Sequence, residues 1–146
     1  MILLVINGPN LNMLGIREPE IYGKETLDDL ISFIKKERGD RHEISFFQSN
    51  HEGEIIDAIH RAYYDGVEGI IINPAAYTHT SIAIMDALKS VPVPSIEVHI
   101  SDPESRESFR QNSYTSLAAL ATIRGKGFQG YIDAIDILSK TKESED

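Results

Sequence analysis

The sequence predicts an α/β fold in which a doubly wound parallel sheet of five strands alternates with helices. Two observations lead to this prediction. Short apolar runs alternate along the chain with stripes of apolar residues at helical spacing, and the runs at residues 2–6 and 69–72 are apolar without interruption. Uninterrupted apolar strands are typical of parallel sheets covered on both faces, and strictly alternating strands and helices are the pattern of doubly wound folds.

Length and charge restrict the possible functions. A chain of 146 residues fits a single domain spanning 1–146, and its charged end, residues 140–146, is expected to fray. The absence of cysteine excludes disulfides and thiolate metal sites. A formal net charge of −9 argues against nucleic acid and anionic membranes as partners, so an anionic ligand would need positive charge supplied locally. The opening apolar run is too short for a signal peptide or a membrane span, and we expect a cytoplasmic protein.

The first half of the chain predicts two strands and two helices. Residues 2–6 form the first strand and residues 43–48 the second. Between them, Thr26 begins a capping-box-like start to a helix that ends near Gly39. Asn50 is a plausible N-cap for the next helix, which Asp65-Gly66 ends. The expected inner stripe of that helix is Ile55, Ile56, Ile59 and Tyr63.

The second half continues the same rhythm. Residues 69–72 and 95–98 are the third and fourth strands, and residues 104–109 are a short polar helical piece. The alanines in residues 117–123 favour a helix, but the alternating order favours a fifth strand, which we predict. Thr80 or Ser81 caps the third helix, whose apolar positions include Ile82, Met85 and Leu88. The closing helix carries the stripe Phe128, Tyr131, Ile132, Ile135 and Leu138.

One long loop, residues 8–23 with the sequence GPNLNMLGIREPEIYG, dominates the reading of function. Its two prolines, three glycines and two asparagines prevent a continuous helix. A loop of about 15 residues inside a compact domain is usually functional or disordered. Because Leu11, Met13, Leu14 and Ile16 could anchor it, we interpret it as a functional lid, with a packed structural loop as the alternative.

Polar clusters follow three of the predicted strands, at residues 7–22, 73–79 and 99–101. Parallel strands end at the same edge of the sheet, and doubly wound sheets bind ligands beyond the carboxyl ends of their strands. We therefore expect the three loops to converge on one cleft.

The residues in these loops favour acid–base chemistry without a cofactor or metal. No phosphate-binding loop follows the first strand, and the glycine pattern at 125–130 opens the last helix instead. His51-Glu52-Gly53-Glu54 lacks the second histidine of a zinc helix. Tyr22, His79 and His99 remain as titratable candidates, and Arg17 could lower the pKa of Tyr22 enough for it to act as a base. Each of these residues could instead serve only in packing.

The motifs together resemble one family, type II 3-dehydroquinate dehydratase. They are residues 8–23, QSNHEGEIID at 48–57, INPAAYTHTSIAIMDAL at 72–88, IEVHIS at 96–101 and RESFRQNSY at 106–114. The resemblance extends from residue 2 to about residue 138 and implies a flavodoxin-like fold. Ala75 stands where glycine is common in this family. Glycine tolerates φ values that alanine does not, so the backbone conformation of that loop is not predicted from the resemblance.

The resemblance implies a lyase of the shikimate pathway that converts 3-dehydroquinate to 3-dehydroshikimate by anti elimination through an enolate. In that reaction Tyr22 would be the base and His99 the acid, Arg17 would keep Tyr22 ionised, and Asn10 would position a water beside the enolate. The residues that it implies for substrate binding are Asn73, His79, Asp86, Ile100, Ser101 and Arg110.

The resemblance also implies an assembly, a homododecamer built as a tetramer of trimers in which Asp86 reaches a neighbouring subunit's site. It implies no cofactor, and no lysine lies in the three site loops to form an imine. Two other interpretations are a non-catalytic flavodoxin-like domain that binds a small molecule and a flavin carrier. The bulky residues Leu11, Asn12 and Met13 after the first strand argue against a flavin phosphate loop.

Overall fold

A computed structural model describes residues 1–16 and 19–145 of the chain, with the backbone alone for Ile21, Tyr22 and Glu104. Its five strands form one parallel sheet in the order β2–β1–β3–β4–β5. The strands are β1 (Ile2–Asn7), β2 (Glu43–Gln48), β3 (Gly69–Asn73), β4 (Ser95–His99) and β5 (Ala121–Arg124). The predicted doubly wound parallel sheet is thereby confirmed.

Five α-helices connect and cover the strands. They are α1 (Pro19–Tyr22), α2 (Leu27–Arg38), α3 (Glu52–Tyr64), α4 (Ile82–Ser90) and α5 (Gln129–Glu145). Two of the predicted caps are confirmed. Thr26 and Asp29 form a reciprocal capping box at the start of α2, and the Ser81 side chain accepts a hydrogen bond from the Ile84 N–H at the start of α4.

The sheet separates two apolar cores because alternate strand residues point to opposite faces. Leu3, Val5 and Ile71 pack on one face with α2 and α5, and Ile6, Ile72 and their neighbours pack on the other with α3 and α4. Because helices cover both faces of the sheet, a ligand can approach it where the strands end. Among the described residues, no helix combines the length and apolar character that crossing a membrane requires.

Two details of the first helices differ from the prediction. The N-cap of α3 is His51 rather than Asn50, whose side chain instead accepts a hydrogen bond from the Asn10 N–H at 2.9 Å. Tyr63, expected in the inner stripe, is half exposed, and Ala62 is buried in its place. At about 100° per residue, position 62 returns close to the direction of Ile55, whereas position 63 is rotated outward.

In the second half, Ile82 is exposed at the first turn of α4, and Ile84, Ala87 and Leu88 form its buried face. The polar helical piece predicted at 104–109 is two 3-10 turns, Pro103–Ser105 and Ser108–Gln111.

The last strand also differs from the prediction. The fifth strand begins only at Ala121, because Thr115–Leu117 forms another 3-10 turn. The last helix, α5, extends to Glu145, and Lys142 forms an ion pair with Glu68 at 2.8 Å. Fraying of residues 140–146 stays a prediction.

Candidate active site

A cleft of about 500 Å³, including its open mouth, lies at the carboxyl edge of the sheet. Strands β1, β3 and β4 each extend one residue further than predicted, and they end in Asn7, Asn73 and His99. Seven of the predicted site residues line the cleft: Asn10, Asn73, His79, His99, Ile100, Ser101 and Arg110. The expected convergence of the three loops on one cleft is therefore found.

Three predicted site residues are not placed in this cleft. Arg17 lies outside the described residues. Tyr22 ends α1, and its side chain is also outside what the structure describes. Asp86 is exposed on α4 and is not among the described residues that line the cleft of its own chain.

His99 is held by a buried carboxylate that the sequence analysis did not single out. Its Nε2 donates to Glu97 Oε1 at 3.0 Å, and the two side chains are 8% and 0% exposed. The hydroxyls of Ser113 and Thr122 donate to the same carboxylate at 2.8 and 2.7 Å. One ring nitrogen of His99 is thus engaged, which leaves the other for the cleft.

The charge on Glu97 is maintained by these contacts. Burial raises the pKa of its carboxyl, but the hydrogen bonds and charge of His99, with the two hydroxyls, outweigh burial and hold the pKa below its usual value. The carboxylate accepts the ring N–H and so fixes the orientation of the imidazole, an arrangement used where histidine acts as an acid or base. The available signal was an acidic residue inside an otherwise buried strand, two residues before a histidine.

The backbone at Ile100 and Ser101 is held by hydrogen bonds from the turn after β5. The Gly125 N–H is shared between the carbonyls of His99 and Ser101 at 3.2 and 3.3 Å, and the Gly127 N–H donates to the Ile100 carbonyl at 3.0 Å. Gly127 has a φ of 57°, which glycine adopts without strain. The glycine pattern discounted as a phosphate loop therefore supports this wall of the cleft.

His79 is positioned by the loop opposite. Its Nδ1 lies 2.7 Å from the Asn112 carbonyl oxygen. Burial, together with the nearby charges of His99 and Arg110, lowers the pKa of His79 despite that hydrogen bond. His79 is thus suited to hydrogen bonding as a neutral ring near pH 7.

The loop after β1 is anchored where it enters the cleft. Asn10 has a left-handed backbone, with φ of 70°, and its N–H is held by Asn50. Gln48 Nε2 donates to the Gly8 carbonyl and to Asn50 Oδ1 at 3.2 and 3.3 Å. Of the four predicted apolar anchors, Leu11 and Leu14 are buried, whereas Met13 and Ile16 are exposed, so only the first pair anchors the loop. Whether the remainder acts as a lid stays a prediction.

Among the described residues that line the cleft, Arg106 and Arg110 carry positive charge, and Arg106 was not predicted. Arg110 Nε donates to Glu107 Oε2 at 2.7 Å, so its guanidinium is held in place. The chain as a whole is strongly acidic, and these two side chains supply the local charge that an anionic ligand needs. In the described part of the chain, no three His, Asp or Glu side chains form a group able to hold a metal ion.

Comparison with known proteins identifies the family. The family model described as "Dehydroquinase class II" matches residues 1–139. The chain belongs to the class II dehydroquinases. This confirms the resemblance predicted from the sequence motifs, and with it the enzyme class.

Individual class II dehydroquinases are similar over nearly their whole length. The 3-dehydroquinate dehydratase of Corynebacterium glutamicum (strain R) is 52% identical, with 97% of each chain covered. That of Clostridium perfringens (strain SM101 / Type A) is 53% identical, over 99% of this chain and 100% of the relative.

The crystal structure of type II dehydroquinase from Butyrivibrio crossotus DSM 2876 matches with a TM-score of 0.93 and 52% identity, covering 95% of this chain and 97% of that one. The fold is accordingly flavodoxin-like, as expected.

Proposed function

We propose that the cleft dehydrates 3-dehydroquinate to 3-dehydroshikimate in the shikimate pathway. The observation that carries this proposal is the convergence of Asn73, His79, His99 and Arg110 on one cleft in a chain of this family. A base removes a proton from the carbon beside the substrate ketone, and the electron pair forms an enolate. The enolate then re-forms the ketone, and the electron pair of its carbon–carbon double bond makes a new double bond to the adjacent carbon. The C–O bond to the departing hydroxyl breaks as an acid protonates that oxygen, which gives water and the conjugated enone.

His99 is the proposed acid. It lies in the cleft and is paired with the buried carboxylate of Glu97, which keeps the ring oriented. A proton transferred from this position to the departing oxygen would contribute the about 10²–10⁴-fold that general acid catalysis typically supplies.

Tyr22 is the proposed base, activated by Arg17. A tyrosine has a pKa of about 10, and a neighbouring guanidinium favours the ionised form. These two roles rest on the loop motif at residues 8–23. Asn10, which lines the cleft at the start of the same loop, would position the water that supports the enolate.

The substrate carboxylate is assigned to the Asn73 side chain and the backbone N–H groups of Ile100 and Ser101. The support for this is that Asn73 ends β3 beside the ends of β1 and β4, so its amide and the 100–101 backbone share the floor of the cleft. Neutral His79 and the guanidinium of Arg110 would bind the ring hydroxyls.

The proposed working form is a homododecamer, a tetramer of trimers, in the cytoplasm. Asp86 is exposed on α4 and does not belong to the described lining of its own cleft, which is compatible with a role in a neighbouring subunit's site. Light scattering combined with an assay of Asp86→Asn tests this. A stable monomer of the unmodified chain with full turnover would contradict it.

The function is tested by following the absorbance of the conjugated enone product after 3-dehydroquinate is added. We expect turnover without added metal, undiminished by EDTA, and no covalent adduct when borohydride is added with substrate, since no imine forms. A non-catalytic binding domain would bind 3-dehydroquinate in calorimetry without producing enone. Loss of activity with EDTA, or a borohydride-dependent mass increase on a lysine, would contradict the proposed mechanism.

A further inference from the structure

Tyr131 lies beneath the floor of the cleft, in the first turns of α5, and is fully buried. The sequence pattern placed it among apolar core residues, but its hydroxyl is part of a polar chain. The hydroxyl donates to Asn7 Oδ1 at 2.6 Å and accepts from Asn73 Nδ2 at 3.0 Å. Asn7 and Asn73 are register partners at the ends of β1 and β3, and both are buried.

The donor and the acceptor can be assigned for each hydrogen bond that links Ala75, Asn73, Tyr131 and Asn7. The Ala75 backbone N–H can only donate, so the Asn73 atom 3.1 Å away must be the carbonyl oxygen Oδ1. The amide nitrogen of Asn73 therefore faces Tyr131, whose oxygen accepts. The hydroxyl proton of Tyr131 is then directed to the remaining partner, Asn7 Oδ1. Burial raises the pKa of Tyr131, so the hydroxyl keeps this proton at neutral pH.

This arrangement decides which atom of Asn73 the cleft presents. An amide nitrogen carries two hydrogens, and Tyr131 accepts only one of them. The second is available to a ligand in the cleft that Asn73 lines. A flipped amide would place its carbonyl oxygen there, where it would repel a carboxylate.

We propose that Tyr131 is a positioning residue that, together with the Ala75 N–H, fixes the Asn73 amide with its N–H toward the substrate carboxylate. This inference rests on the proposed function, in which Asn73 binds that carboxylate. Tyr131 does not touch the substrate and acts only through Asn73.

The test is steady-state kinetics of Tyr131→Phe, which removes one oxygen and leaves the ring. We expect KM for 3-dehydroquinate to rise about tenfold, equivalent to about 1.4 kcal/mol, because an oriented hydrogen bond to the carboxylate is lost. Since that bond is present in both ground and transition states, kcat should stay within about twofold. The control is Ile135→Val, one turn along the same helix face and equally buried, which should lower the thermal midpoint without changing KM.

A second comparison tests whether Tyr131 acts through Asn73. In an Asn73→Ala background, Tyr131→Phe should leave KM unchanged, since the amide that it positions is gone. Equal effects of Tyr131→Phe in both backgrounds, or an unchanged KM in Tyr131→Phe alone, would overturn the inference. If the unmodified chain and Ile135→Val do not form enone, it is the proposed function that fails.

If Tyr131→Phe does not fold, nuclear magnetic resonance of the unmodified chain tests the inference instead. The inference predicts a slowly exchanging Asn73 side-chain proton with a nuclear Overhauser effect to the Tyr131 ring. Rapid exchange of both Asn73 amide protons would overturn it.

Discussion

Glu97 is the buried carboxylate that holds the His99 ring at the cleft. Its two oxygens also accept hydrogen bonds from the hydroxyls of Ser113 and Thr122.

Replacing Glu97 by glutamine keeps the shape of the side chain and removes its charge. We expect kcat to fall at least about tenfold, because the protonated form of His99 loses its buried counter-ion and its ring is less well oriented. Enone formation by purified Glu97→Gln measures this. Glu43→Gln, at the exposed start of β2, is the matched control and should keep full activity. Full activity of Glu97→Gln would remove Glu97 from the mechanism.

Asn73 and His99, which end β3 and β4, could be predicted to belong to the site because polar residues follow the apolar runs in the sequence. Glu97 gave only a weak signal, an acidic residue in a buried strand two residues before His99, and Tyr131 matched the apolar stripe of α5. The hydroxyls that contact Glu97 are 16 and 25 residues away along the chain, and the amides that contact Tyr131 are 58 and 124 residues away. The fold brings these groups together, so their contacts could not be predicted from spacing.

The backbone of Ala75, which stands where glycine is common in the family, is strained, and we expect this strain to lower the stability of the protein. The φ of Ala75 is 53°, in the left-handed region that costs a residue with a Cβ about 1 kcal/mol. Ala75→Gly should therefore stabilise the protein by up to about 1 kcal/mol in urea unfolding, less the entropy that glycine adds to the unfolded chain. Ala76→Gly, at the next position, has no left-handed φ to relieve and should be neutral or destabilising. A destabilised Ala75→Gly would contradict this interpretation.

At the scale of elements, the order of strands and helices was predictable because each has its own apolar period. The start of β5 was not, since the Ala-rich sequence of residues 117–120 suits several conformations and the turn at Thr115–Leu117 is set by tertiary contacts. The contacts between helices could not be predicted from the sequence either. Arg38 at the end of α2 holds Asp136 of α5 by two hydrogen bonds, at 2.8 and 2.9 Å.

This pair gives a prediction with a defined pH dependence. The hydrogen bonds and charge of Arg38 hold the pKa of Asp136 below its usual value. Its stabilising effect is therefore present above the unfolded pKa, near 3.8, and disappears as pH falls through the lower folded pKa. Asp136→Asn should cost about 0.5–1 kcal/mol at pH 7 and less at pH 3, below the unfolded pKa.

Urea unfolding of Asp136→Asn at both pH values measures the difference. Asp133→Asn is the control: Asp133 contacts the exposed Lys126 and the Gln129 amide, each at 3.2 Å, and its replacement should have the smaller effect at pH 7. A pH-independent loss in Asp136→Asn would mean that packing, and not charge, accounts for its effect.

At the scale of the whole molecule, the parallel sheet explains why distant residues form one site. Three strands that end at one edge bring residues 7–16, 73–79 and 99–101 together, and the turn after β5 braces them from behind. An acidic chain, with a net charge of −9, thereby concentrates Arg106 and Arg110 where an anionic substrate would enter.

The measurement that tests the central claim most directly is the rate of enone formation from 3-dehydroquinate by the unmodified chain and by Tyr22→Phe, with EDTA present. We expect rapid formation by the first and a rate lower by about 10²–10⁴-fold in the second, because the base is lost. Tyr63→Phe, on the exposed side of α3, is the control and should match the unmodified chain. No enone from the unmodified chain would contradict the proposed reaction, and an undiminished rate in Tyr22→Phe would contradict the proposed base.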